Sequence, residues 1–270
     1  STISIKNLKK NLIYMQSHWT WYELIIFTFI AKIFNIPIVF NQNGIYKKSY
    51  KNTYWISNLI LIISLLNSKI IIFQSEYCKS SVKSITNKYI WNLINKKDIH
   101  VIINPSPKTS NFKKRIQPIE KHDLIISNSF SKDRDYYAKY IFKLINELQG
   151  KKKINRIHII GPIQKRLNSN QLNQININKN VYLYGYLDQT SLKKVLSKST
   201  IGIHLNYGDP SPNMVCEYMS YGIPVIVNQI GGAKEIAEKA CLYTKNKLEF
   251  NENKMPHIKD VEISLNKLFQ

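Results

Sequence analysis

Short apolar, β-branched runs alternate with longer stretches of helical periodicity along the chain. In the first part, Asn11 to Met15, Pro37 to Asn41, Lys69 to Gln74 and His100 to Asn104 read as strands. Between them, Trp21 to Phe34, Tyr54 to Asn67 and Glu76 to Thr86 read as helices, and Asn43-Gly44 marks a turn. The strands are nearly continuous apolar runs rather than strict alternations. That pattern predicts a parallel sheet covered on both faces.

The rhythm breaks from Pro105 to Lys121, a charged stretch with three prolines and no periodicity, which reads as a linker. It then restarts. Predicted strands are Asp123 to Ser127, Arg156 to Ile160, Val181 to Tyr184 (ending at Gly185), Thr200 to Leu205 and Pro224 to Asn228. Predicted helices are Tyr136 to Gln149, Gln189 to Ser197, Pro212 to Tyr221 and Ala233 to Lys239. The fold class expected is α/β, with two Rossmann-like doubly wound domains, the N-terminal one incomplete. The boundaries expected are 1–110, 111–250 and a C-terminal helical segment over 251–270. Paired units of this kind bind ligands at the carboxyl ends of their strands.

Composition changes this picture little, but charge does. Lys and Arg number 39 against 17 Asp and Glu, a formal net charge of +22. Three readings stand: codon bias in a chain rich in Ile, Lys and Asn, attraction to an anionic membrane surface or a phosphorylated lipid acceptor, and nucleic acid. Nucleic acid is the least favoured, because the basic residues are scattered and no recognition helix or aromatic platform accompanies them. Three widely spaced cysteines imply neither a disulfide framework nor a metal site, and fit a reducing, cytoplasmic setting. The apolar run Ile56 to Leu66, about 11 residues, is too short to span a bilayer. The sequence opens at Ser1 with no signal peptide in it, so a chain truncated at its N-terminus is expected.

The segment with the most chemistry runs from His204 to Gly232. Ser211-Pro212 reads as a helix start, with Ser as N-cap and Pro in the first turn. Gly222 reads as the residue that ends the helix, with Pro224 just beyond. Such a start presents the backbone amides of Asn213 and Met214 to an anion, phosphate above all. Glu217 follows among apolar neighbours, where an unpaired carboxylate is costly. It either pairs with a lysine at the rim of the helix or accepts hydrogen bonds from a ligand diol such as a ribose. Asp209, in a Gly-Asp-Pro turn, is either an ordinary turn residue or part of the same site.

Asp209 and Glu217 stand with seven residues between them, followed by YMSYGIPVIVNQIGGAKEI. This resembles the donor-site signature of retaining glycosyltransferases of family 4, which have the GT-B fold. Tyr218 takes the place of the usual Ala, and Asp209 that of the commoner Glu. The resemblance implies that Glu217 holds the donor ribose and that Asp209 acts near the transferred sugar. It implies that Pro212, Asn213 and Met214 open the helix onto sugar or phosphate oxygens, and that Gly185 belongs to the donor side. The family places two cations on the donor pyrophosphate. Counting from LIISNSFSKDR puts Asn128 at the first position and Arg134 at the second, with Lys132 as a substitute. The family's sugar-contacting His falls at Gln16, with His18 two residues on.

By this resemblance the chain moves a sugar from a nucleoside-diphosphate sugar to a glycan, lipid or other acceptor, with retention. The setting implied is surface-polysaccharide or glycoconjugate synthesis. The resemblance is to a group that works without a metal, so no metal and no cofactor beyond the co-substrate is expected, although Asp133-Arg134-Asp135 is an Asp-x-Asp triplet. The location expected is cytoplasmic, with an anionic membrane surface as a further partner. The alternatives are a non-catalytic sugar-nucleotide-binding module and, behind it, a basic nucleic-acid-binding protein.

Overall fold

The computed structural model describes residues 12–17, 20–46, 54–105, 120–131, 135–244 and 255–269. They form two compact units. The first holds residues up to Asn104 together with the loop Gly208–Ser211, and the second runs from Pro105 to Tyr207 and resumes at Pro212. The expected boundary at 110/111 and most of the expected linker lie outside the described residues.

The first unit is a parallel sheet in the order β1 (Ile13–Gln16), β2 (Ile38–Gln42), β3 (Ile70–Phe73), β4 (Asp98–Val101). Helices α1 (Trp21–Phe34), α2 (Tyr54–Asn67), α3 (Glu76–Ser84) and α4 (Lys88–Asn95) connect the strands. Met15, Leu24, Ile38, Phe40, Leu61, Ile71 and Phe73 form its buried centre. Glu23, a polar break in an apolar run, caps its own helix: the Thr20 amide donates to its carboxylate at 2.8 Å. Helix α1 ends at Asn35 in the left-handed region, φ 52°.

Two sequence expectations shift here. The helix expected over Glu76 to Thr86 stops at Ser84, and a separate α4 begins after Asn87, whose side chain caps the Ile90 amide at 2.8 Å. The strand expected from His100 to Asn104 lies earlier, because Asp98–Val101 carries the ladder to β3 while Ile102 and Ile103 are exposed.

The second unit is a six-stranded parallel sheet of β5 (His122–Ser127), β6 (Ile154–Ile160), β7 (Val181–Gly185), β8 (Ile201–His204), β9 (Val225–Asn228) and β10 (Cys241–Thr244). Its spatial order is β10-β9-β8-β5-β6-β7. Helices α5 (Asp135–Leu148), α6 (Ser169–Ile177), α7 (Gln189–Leu196), α8 (Asn213–Ser220), α9 (Ala233–Ala237) and α10 (Ile258–Leu268) accompany it. Read from its first strand, this is the doubly wound order 3-2-1-4-5-6, which reverses between β5 and β8.

Alternation along β5 shows why both faces are filled. Leu124 and Ile126 face a core built by α5 and α10, through Ile141, Ile145, Val261 and Leu265. Ile125 faces the opposite core with Val195, Val215 and Tyr218. Helix α10 falls within the expected C-terminal segment and packs into this unit.

Candidate functional site

The switch point between β5 and β8 organises the carboxyl edge of the second sheet. Asn128 follows β5 and is 8% exposed. Its amide donates to the Asn206 side-chain oxygen beyond β8 at 2.6 Å. Its own side-chain oxygen accepts from the Phe130 amide at 3.0 Å, a tight turn that puts Phe130 at φ 43°. The Phe130 carbonyl in turn accepts from Arg166 Nε at 2.8 Å. A cation thus braces the loop after β5, supplied by a 3-10 turn (Ile163–Arg166) that sequence reasoning missed. The loop also meets Gly161 closely, since a Cβ there would stand 1.8 Å from the Asn128 carbonyl oxygen. Glycine is the residue that fits at this φ of 107°.

Helix α8 starts one residue later than expected. Pro212, not Ser211, is the N-cap, in extended backbone at φ −70° and ψ 108°. Its side chain offers no acceptor, and the buried Ser211 hydroxyl makes no hydrogen bond among the described residues. The helical bonds begin at Val215 and Cys216, both onto the Pro212 carbonyl. Asn213 and Met214 therefore occupy the first turn, where amides face outward along the axis. Gly222 at φ 64° ends the helix as expected.

Glu217 is half-buried on this helix. No hydrogen bond or ion pair within 4 Å reaches its carboxylate among the described residues. Burial pushes its pKa up, and the Lys193 ammonium partly opposes that. Beside it, Tyr218 is fully buried against Gly202 of β8, where a Cβ would stand 2.6 Å from the ring. The bulky Tyr218 ring is matched by a glycine on the strand beneath it.

The other expected positions divide. Gly185 closes β7 at φ 69° and accepts from the Gly161 amide at 2.6 Å. Gln16 is the last residue of β1, and Asp209 lies in the loop Gly208–Ser211, so both belong to the first unit. In that unit the Ser75 hydroxyl donates to the Pro210 carbonyl at 2.7 Å. His18, Lys132 and Arg134 lie outside the described residues. Among the described residues no group of three His, Cys, Asp or Glu is gathered to hold a metal ion.

Two α/β units, each built on a parallel sheet and one of them in dinucleotide-fold order, are the architecture of GT-B glycosyltransferases. The family model for glycosyl transferases group 1 matches residues 108–254, more than half of the chain. The chain belongs to that family. No curated protein matches the sequence.

Solved structures share the fold at low identity. HepE from Anabaena in complex with UDP-glucose is 15% identical at a TM-score of 0.64, over 89% of this chain and 66% of that one. Sucrose-phosphate synthase from Thermosynechococcus elongatus is 13% identical at 0.68, over 95% and 64%. Trehalose-6-phosphate synthase OtsA is 14% identical at 0.64, over 96% and 64%. The chain spans about two thirds of the length of these proteins.

Proposed function

We propose that this chain takes part in transferring a sugar from a nucleoside-diphosphate sugar to a glycan, lipid or other acceptor, with retention and without a metal, in surface-polysaccharide or glycoconjugate synthesis. The observation that carries the reading is the half-buried Glu217 carboxylate, one turn into a helix that opens beside the switch point. Its acceptor oxygens suit the two hydroxyls of a ribose. The first-turn amides of Asn213 and Met214, with Pro212 at the cap, suit the diphosphate. The group 1 family membership and the UDP-glucose complex of HepE support the same donor class.

In the reaction the bond from the anomeric carbon to the diphosphate oxygen breaks, and negative charge grows on the departing nucleoside diphosphate. Amides fixed at a helix start stabilise that charge with little reorganisation. Lys132 and Arg134 are the cations proposed beside them. Asn128 shapes the loop through Asn206 rather than supplying charge. Gly185 closes the strand on the donor side, and Asp209, Gln16 and His18 are proposed for the transferred sugar.

The test is UDP binding by calorimetry to the intact chain and to Glu217→Gln. Hydrogen bonds to a charged group contribute about 1.5–3 kcal/mol, so affinity falls by about ten- to a hundredfold. Binding within twofold of wild type refutes the assignment.

One observation favours a second reading, a sugar-nucleotide-binding module without turnover. The position expected to carry a pyrophosphate cation is Asn128, tied to Asn206 at 2.6 Å. UDP-sugar binding with no donor hydrolysis or transfer would select this reading.

A cytoplasmic, membrane-surface location is part of the proposal. Helices α1 and α2 pack through Thr28 and Ser64, whose hydroxyls meet at 3.2 Å. They leave Trp21, Ile26, Phe29, Ile33, Trp55 and Leu59 exposed. Both helices run against parallel strands, so Trp21 and Trp55 stand at the same end, as aromatic anchors do at a lipid interface. No described helix is long and apolar enough to cross a membrane. An apolar face on a chain of net charge +22 suits attachment to an anionic bilayer surface.

A further inference from the structure

A cavity of about 460 Å³ lies within the second unit, between the β6–β7 edge of the sheet and α7. Arg156 and His158 of β6, Tyr182 and Tyr184 of β7, and Lys194 and Lys198 along and just after α7 line it. Helix α7 returns antiparallel to the strands, so its lysines sit toward the amino ends of β6 and β7. The candidate donor residues sit at the carboxyl ends, which this cavity reaches through Tyr184, Leu187 and Ser191.

The chemistry of the wall is uneven in a telling way. Three cations line it, and among the described residues none of them has an ion pair within 4 Å, although Lys194 lies near enough to Asp188 at the start of α7 to help lower that carboxyl's pKa. Asp123, the carboxylate behind the wall, accepts from Asn155 at 2.8 Å and faces His158 at 3.8 Å. Three clustered positive charges repel one another unless an anion joins them. The other wall is aromatic. Tyr182 and Tyr184 lie 22° from parallel with centroids 6.4 Å apart, and His158 stacks on Tyr182 at 5.6 Å. The Arg156 guanidinium stands 5.8 Å over the Tyr182 ring, which fixes it beside the opening.

His158 closes the floor and is 3% exposed. Its Nδ1 is bonded to the Tyr184 hydroxyl at 2.9 Å, while its Nε2 makes no hydrogen bond. Burial lowers its pKa first. Asp123 opposes that, and Arg156 and Lys198 add to it. The floor is therefore an imidazole whose protonation is opposed by burial and by two of the three cations, Arg156 and Lys198.

We propose that this cavity binds a phosphate monoester carried on a ring, a sugar phosphate or a nucleoside monophosphate, at a site separate from the donor position. The ring lies against the tyrosines, as bases and other flat groups stack on aromatic side chains. The phosphate oxygens meet Arg156, Lys194 and Lys198. The site does not depend on the sugar-transfer reading, since none of its residues belongs to the donor machinery.

The test uses the intact chain carrying Glu217→Gln, which weakens the donor position without touching this cavity. Calorimetry at low salt is run with glucose 1-phosphate, UMP, inorganic phosphate, glucose and uridine. Either phosphorylated ring should bind at least tenfold more tightly than inorganic phosphate and than its own unphosphorylated form. The tighter of the two identifies the source. Adding Arg156→Gln with Lys198→Gln should lower that affinity at least tenfold. In parallel, the His158 ring proton in NMR should shift on titration, and its pKa should rise as the anion offsets the neighbouring cations. This second reading needs no cavity variant. Affinity unchanged by the double substitution, or a His158 signal unmoved at saturation, overturns the proposal. Inorganic phosphate binding as tightly as both phosphorylated rings overturns it as well.

Discussion

Gly202→Ala on β8 offers a sharp test of how α8 is seated. The new Cβ would stand 2.6 Å from Tyr218 Cδ2 and 3.0 Å from Cε2 and Cγ. The ring is rigid and fully buried, and β8 is held on both sides by β5 and β9. Neither partner yields cheaply. Overpacking of this kind costs about 1–3 kcal/mol, against about 0.4–1 kcal/mol recovered from a stiffer unfolded chain. Tyr218→Ala alone empties the site and costs about 3–5 kcal/mol. In the double variant the new methyl enters space that the ring has left. Its stability should therefore match Tyr218→Ala to within about 0.5 kcal/mol rather than add the two losses. Urea unfolding of the four proteins, followed by circular dichroism, measures the cycle. Additive losses refute the claim that Gly202 exists to seat Tyr218, and so does a Gly202→Ala variant as stable as wild type. The same displacement moves Glu217, so UDP affinity should fall with Gly202→Ala.

Other outcomes follow from single features. Glu217 has a raised pKa, so the stability it contributes is present below the unfolded carboxylate pKa and is lost as pH rises through the folded value. Glu217→Gln should therefore gain on wild type in thermal unfolding between pH 4 and pH 7, and an equal difference at both pH values refutes the burial argument. Arg166→Ala frees the Phe130 carbonyl and should weaken UDP binding several-fold by calorimetry while the α5 core stays folded. Phe29→Ser with Trp55→Ser removes two exposed anchors, each contributing about 1.5–3 kcal/mol when buried in lipid, so co-sedimentation with anionic vesicles should fall at least tenfold.

Much of the fold was legible because parallel strands buried on both faces must be apolar throughout. Runs such as IVF in β2 and VIV in β9 leave few other solutions. The polar helix α6 was not legible. SNQLNQINI has little apolar periodicity, and its signal is a capping box between Asn168 and Gln171. Strand β10 is a short edge run, CLYT, with no turn residues of its own. In the site, helix α8 and Glu217 could be read from local spacing. The Asn128–Asn206 bond and the Arg166 brace could not, because topology rather than sequence proximity brings those residues together.

The strand order of the second sheet has a cost during synthesis. Strand β5 sits at the centre, yet its neighbour β8 arrives late: the paired Asn128 and Asn206 are 78 residues apart. At about 5–20 residues per second, a ribosome needs on the order of 4–16 s to cover that distance. Throughout that interval one edge of a strand centred on the apolar run Leu124–Ile126 has no partner, the condition under which nascent chains adhere to one another. Slower elongation would lengthen the exposure, so soluble yield of this chain should depend on translation rate and chaperone supply more than on the stability of the finished protein.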